Sequence, residues 1–193
     1  DQAAIPLGNA RRYQAQLDAN RHLRDRVERM GRISEFSRLF REGASLTTLL
    51  EEVARGVRET VGFDLVLLSV VDESRQCLRR TAQAGMDPAA FVSMQQVSPP
   101  LSQAGELMQE RYRVGQSYFI PAEGAEGLPA DLPTYRAAGD STGTGPAAWH
   151  PEDLLLVPIY GTERRLLGLM SVDQPRSGRR PSPDLVEALE LFA

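Results

Sequence analysis

Leu154-Leu-Leu-Val-Pro-Ile159, Tyr160-Gly-Thr-Glu-Arg-Arg165 and Leu166-Leu-Gly-Leu-Met-Ser-Val172 follow one another without interruption. Two apolar runs of strand length on either side of a polar turn read as an antiparallel hairpin. Through Asp173-Gln-Pro-Arg-Ser-Gly-Arg-Arg180 the hairpin leads to a helix with complete start chemistry. Ser182 is placed to cap it, Pro183 suits its first position, and Asp184 complements the positive end of its dipole. Leu185, Val186, Leu189 and Phe192 recur at helical spacing as its buried stripe. The stripe is still in full period at Ala193, which reads as a helix that carries on in a longer protein, and so as a module rather than a free-standing enzyme.

Working back from the hairpin, Leu46, Leu49, Leu50, Val53, Val57 and Val61 mark a helix that Gly62 ends. Its cap is either Ser45 or Thr48, since Thr48-Leu-Leu-Glu51 has capping-box form. Phe63 to Val71 is nearly continuous in Leu and Val and reads as a buried strand. Asp72 to Arg75 is a turn, and Cys77 to Ala84 a half-exposed second strand closed by Gly85. Short helices are predicted over Asp87–Gln96 and Ser102–Tyr112, the latter with Leu107 and Met108 facing inward, and a strand over Gln116–Ile120. Pro121 to His150 is poor in large apolar residues and reads as a long loop, with one helical turn near Leu132–Tyr135; loops of that length in a compact domain are usually functional or mobile.

Arg11 to about Arg41 is free of proline and reads as one long helix. Heptad spacing puts Tyr13, Asn20 and Val27 at one seam position and Gln16, Leu23 and Met30 at the other. After Gly31 the apolar set moves to Ile33, Phe36, Leu39 and Phe40, a wider stripe suited to packing on a domain. The expected organisation is therefore a partner-facing signalling helix over residues 1–32 and a single domain over residues 33–193, with a parallel homodimer formed through Tyr13, Asn20, Leu23, Val27 and Met30.

The chain has 193 residues, 41% of them hydrophobic, enough for one packed domain. Its longest strongly apolar run, Leu65–Val71, is far short of a membrane span, and no apolar leader is present at its start, so no membrane insertion is expected from this segment. A single cysteine, Cys77, leaves no internal disulfide and fits a reducing, cytoplasmic setting. All 22 basic residues are arginine. Without lysine, Schiff-base chemistry and a P-loop are ruled out. Residues 46–193 hold thirteen Arg against twenty acids, an acidic surface that argues against nucleic acid, whereas residues 1–45 hold nine Arg against six acids.

The order of elements resembles the GAF domain, a family of small-molecule sensor domains of phosphodiesterases, phytochromes and bacterial signalling proteins. The likeness is carried by Leu49-Leu-Glu-Glu-Val-Ala-Arg-Gly-Val-Arg-Glu-Thr-Val-Gly-Phe-Asp64, by Val71-Asp72, by Ala82-Gln-Ala-Gly85, by Arg113-Val-Gly-Gln-Ser-Tyr-Phe-Ile-Pro121, and by Leu156-Val-Pro-Ile159 with Leu167-Gly-Leu-Met-Ser-Val-Asp173. The resemblance implies an α+β fold: a GAF-like antiparallel central sheet with helices on both faces, preceded here by the long N-terminal helix. It implies that the first and last helices share one face and that a ligand pocket lies on the other. The Arg113–Pro121 stretch matches the turn before the family's central strand.

The resemblance leaves the ligand open and removes several. Cyclic-nucleotide-binding members carry a lysine-containing motif, which cannot be present. Bilin-binding members attach the chromophore through a cysteine commonly followed by histidine; Cys77 precedes Leu78 on an early strand and reads as a packed strand residue. One cysteine is too few for the disulfide turnover of the sulfoxide-reducing members. The only histidines are His22 and His150, and no metal-ligand spacing occurs. No Gly-x-Ser-x-Gly elbow is present, and Glu152 and Asp153 read as acids that keep a loop solvated.

The candidate ligand-binding residues are Ser69, Arg113, Tyr118, Trp149, His150 and Ser171. Arg113, Tyr118 and Trp149 can hold a small anionic or aromatic ligand by charge and stacking, or can pack at the sheet edge. Trp149 either lines a pocket with His150 or plugs the core while His150 stays half-exposed. Ser69 and Ser171 each interrupt an apolar strand, so their hydroxyls either bond locally or face a cavity. The expected function is a non-catalytic sensory or regulatory domain that relays a signal along its terminal helices to an output domain, histidine kinase first and diguanylate cyclase next. The alternative is a ligand-free dimerisation and spacing module whose pocket is closed by side chains.

Overall fold

Ser45 starts the first described helix of the computed structural model, which describes residues 44–124, 145 and 147–193. Its Oγ accepts from the Thr48 amide at 3.1 Å, so Ser45 rather than Thr48 caps α1 (Leu46–Thr60). The helix buries Ala54, Gly56 and Val57, and ends at Val61, after which Gly62 turns the chain with φ 91°. The long N-terminal helix, and with it Tyr13, Asn20, Leu23, Val27 and Met30, lies outside the described residues. So does the stretch of the 121–150 loop that contains Leu132–Tyr135.

Six strands form one sheet: β1 (Phe63–Asp72), β2 (Cys77–Ala84), β3 (Arg113–Val114), β4 (Ser117–Ile120), β5 (Leu154–Tyr160) and β6 (Leu166–Pro175). Their order across the sheet is β2-β1-β6-β5-β4-β3, and each neighbouring pair is antiparallel. The predicted β5–β6 hairpin forms, and its long strand β6 joins β5 to β1 at the sheet centre. The expected strand at Gln116–Ile120 also forms, but it is not central. Arg113–Val114 folds back on it around Gly115, which makes an unexpected edge hairpin and leaves β4 one place from the rim.

Alternation along the strands sorts the apolar residues into two layers. On one face, Phe63, Val66, Leu68, Leu155, Val157, Met170 and Val172 pack against Ala54, Val57 and Val61 of α1 and Val186 and Leu189 of α4 (Pro183–Glu190). Each fully buried Leu, Val or Met there contributes about 1.5–3 kcal/mol. The helix α4 starts as read from sequence, with the Leu185 amide on Ser182 Oγ at 3.3 Å. On the opposite face, Leu78, Ile120, Leu156 and Leu169 meet Ala104 and Leu107 of α3 (Leu101–Leu107) and Tyr112. The helix expected to run to Tyr112 stops at Leu107, because Met108 takes a non-helical ψ of 53°, and a separate 3₁₀ turn covers Glu110–Tyr112.

The remaining helix, α2 (Pro88–Gln95), buries none of its residues fully. It is tied to the sheet by Arg80, which is 5% exposed and donates from Nη1 to the Met94 carbonyl at 2.8 Å and to the Val97 carbonyl. Burial lowers the pKa of that guanidinium, while the carbonyls at the negative end of α2 favour its charge. Arg80 reaches this face because the β1–β2 register shifts between Leu68 and Ser69, so that Ser69 faces Arg80 and Thr81 is passed over. No helix among the described residues is long and apolar enough to cross a membrane.

Candidate functional site

The edge hairpin presents Arg113 and Tyr118 directly opposite one another. Tyr118 in turn faces Leu156 on β5, Leu156 faces Ser171 on β6, and Ser171 faces Leu67 on β1. Residues directly opposed across antiparallel strands share a face. Arg113, Tyr118 and Ser171 therefore lie in one lateral row, on the face turned away from α1 and α4. Ser69 is on the same face in the neighbouring row, between Arg80 and Leu169.

Exposure is graded along these rows. Arg113 is exposed, Tyr118 and Ser171 are half-buried, and Ser69, between Arg80 and Leu169, is 8% exposed. Four of the six predicted residues thus converge on one face, with the outer end of the row open.

Two predicted residues do not join them. Trp149 packs on the other side, edge-on to Phe63 at 6.3 Å and tilted on Phe119 at 6.0 Å, in the layer that contains α1 and α4. Its Nε1 donates to Asp173 Oδ1 at 2.8 Å, so the indole is a satisfied core plug. His150 is exposed, and its Nδ1 accepts from the Glu152 amide at 3.1 Å. Its peptide NH donates to Asp153 Oδ2 at 3.0 Å, so its structural contribution is through the backbone.

Sequence reasoning missed Tyr160. It follows Leu156 and Pro158 at the strand period, which places it on the candidate face, and period 2 alone could have found it. Burial, with the Tyr118 hydroxyl beside it, holds the Tyr160 phenol above its ordinary value. The Arg164 guanidinium lies over the Tyr160 ring, 5.7 Å from its centroid. The open end of the row is therefore a corner of two phenols flanked by Arg113 and Arg164, suited to stacking and to accepting a negative group.

Asp153 is a correction: it does not keep a loop solvated. Its carboxylate is fully buried and accepts four hydrogen bonds, from the amides of Ala122 at 2.8 Å and His150 at 3.0 Å and from Arg180 Nε at 2.9 Å and Nη2 at 3.0 Å. Arg180 also reaches Glu123 at 2.6 Å. Hydrogen bonding to Asp153 and then Glu123 raises the Arg180 pKa, and the Arg180 bond holds the Glu123 carboxyl below its ordinary value. Tyr112 donates its hydroxyl proton to the Gly124 carbonyl. Both ends of the 121–150 segment are thereby fastened beside β4 and β5.

Among the described residues, no group of three or more His, Cys, Asp or Glu side chains is arranged to hold a metal ion. The Cys77 thiol is buried on β2.

Comparison with protein families matches residues 45–193 to the GAF domain. Among solved structures, the chain is similar to the GAF domain of a phosphoenolpyruvate-protein phosphotransferase from Acinetobacter (18% identity, TM-score 0.57, 85% of this chain and 87% of that one). It is also similar to residues 122 to 287 of a methyl-accepting chemotaxis protein (20% identity, TM-score 0.53, 77% and 84%). A GAF domain/HD domain protein from Geobacter sulfurreducens matches at 11% identity and TM-score 0.54, over 76% and 86%. At these identities the likeness speaks for the fold. Comparison with curated proteins gives no match.

Proposed function

This chain belongs to the GAF domain family, and on that premise we propose that it is a non-catalytic sensory domain that recognises a small molecule on the sheet face bearing Arg113, Tyr118 and Ser171. The observation that carries this reading is the lateral row itself: a guanidinium, a phenol and a hydroxyl from three different strands, in register, on the face that α1 and α4 leave free. Sensory modules need an element with two arrangements, and helices sharing one layer supply it by sliding or rotating. The output domain is a histidine kinase by family analogy, or next a diguanylate cyclase, in a cytoplasmic signalling protein. The dimer we propose is parallel, through Tyr13, Asn20, Leu23, Val27 and Met30.

The test is a thermal-shift panel of nucleotides, tetrapyrroles, amino acids and small acids. A stabilising compound whose effect is lost in Tyr118→Ala and Ser171→Leu supports the reading. No shift across the panel favours the second reading, a dimerisation and spacing module without a ligand. One observation favours that alternative: Ser69, Leu156 and Leu169 are each under a tenth exposed, so the inner part of the face is already filled from α3 and Tyr112.

A further inference from the structure

The peptide that joins Gly115 to Gln116 is held from both sides of the sheet. Its oxygen accepts from Arg113 Nε at 3.0 Å. Its nitrogen donates to Glu190 Oε1 at 2.6 Å. Arg113 belongs to the candidate face, whereas Glu190 is the last residue of α4, on the opposite layer. The same Glu190 oxygen accepts from the hydroxyl of Ser117, a fully buried residue, at 2.7 Å. Gly115 has φ +64°, and a Cβ built there would lie 2.7 Å from Glu190 Oε1, so the carboxylate is seated against bare backbone. One rigid, planar amide thus connects the outermost cation of the row to the end of the last helix.

We propose that Glu190 is a positioning residue that couples the Arg113 face to α4 through this peptide; the proposal rests on the reading of that face as a recognition surface. Arg113 Nη1 already lies 3.4 Å from both carboxylate oxygens of Glu110; a carboxylate or phosphate that also engages Nε competes with the Gly115 carbonyl for that donor, because a charged acceptor makes the stronger hydrogen bond. Release of the carbonyl lets the peptide tilt. The tilt alters the Gln116 amide that Glu190 grips, and the last turn of α4 follows. A carboxylate whose only part was to cap the hairpin would stabilise both segments without making either respond to Arg113.

Amide hydrogen exchange on the full chain, without any ligand, reads the coupling as a double-mutant cycle of Arg113→Ala and Glu190→Gln. Arg113→Ala raises exchange of the Leu189, Leu191 and Phe192 amides by about fivefold or more, the low end of ordinary coupling between sites. In the Glu190→Gln background the same Arg113→Ala change leaves those amides unaltered. Ser117→Ala, which removes one of the two donors to Glu190, reduces the response part-way. An Arg113→Ala effect that is absent, or equal in both backgrounds, overturns the proposal. If the cycle shows coupling while no compound of the thermal-shift panel binds, the relay stands and the recognition reading fails.

Discussion

Arg180 and Asp153 meet as a two-pronged pair, Nε to Oδ2 at 2.9 Å and Nη2 to Oδ1 at 3.0 Å, with the carboxylate side chain fully buried and the guanidinium side chain 21% exposed. The pair joins the start of β5 to the segment that leads into α4. Removing one partner from such a pair strands the other charge in a low-dielectric site. Arg180→Ala is expected to destabilise the domain by about 3 kcal/mol in urea unfolding. Arg180→Ala together with Asp153→Asn should recover part of that loss; an additive double variant would show that the two side chains act independently.

Acid should weaken that corner and, separately, the turn between β1 and β2. Arg180 holds the Glu123 carboxyl below its ordinary value, and the Ser74 hydroxyl does the same for Asp72. A carboxyl with a depressed folded-state pKa stabilises fully above its unfolded pKa, and that contribution is lost as pH falls through the folded value. The stability of the wild type should therefore decline on acidification through and below the ordinary carboxyl range. Glu123→Gln and Asp72→Asn should each show a shallower decline in pH-resolved thermal melts. A variant with the wild-type slope would remove its carboxyl from the account.

The centre of the sheet leaves no room at Gly168. A Cβ there would sit 2.6 Å from the Ser69 carbonyl oxygen, and backbone cannot move aside cheaply. Gly168→Ala should cost about 1–3 kcal/mol, the ordinary range for overpacking, by urea unfolding. A neutral outcome would mean that β1 and β6 are further apart than described.

Trp149 is the single tryptophan and reports the helix-side core directly. Its emission should be blue-shifted in the folded protein and move to the red on unfolding. Trp149→Ala should destabilise by about 3–5 kcal/mol. An emission maximum already typical of water in the native state would contradict its burial.

The dimer is tested on the full chain by light scattering. Leu23→Glu with Val27→Glu should lower the mass relative to wild type if these residues form the seam. An unchanged mass counts against it.

Where local chemistry decides structure, the residues themselves declare it. Ser182-Pro183-Asp184 starts a helix wherever it is followed by an apolar stripe, and the Leu154–Val172 hairpin needs only its two apolar runs and a turn. Placement across the sheet is another matter. Gln116–Ile120 has the composition of a strand, but its rank beside the edge depends on whether Arg113–Val114 pairs with it, and two residues carry too little pattern to show that. Asp153 and Arg80 are polar in sequence and buried in the fold, because their partners come from segments 27 and 14 residues away, respectively. The candidate site is legible to the extent that period 2 governs it: Ser69 and Ser171 stand out as breaks in apolar strands, whereas Trp149 and His150 sit in irregular chain, where no period says which way a side chain points.

Native mass spectrometry of the chain as purified from cells, wild type beside Ser171→Leu, goes most directly to the question of recognition. Recognition on this face predicts a non-covalent small-molecule adduct on the wild type, released on collisional activation and absent from Ser171→Leu. The same adduct on both proteins, or the bare chain mass for both, would contradict it.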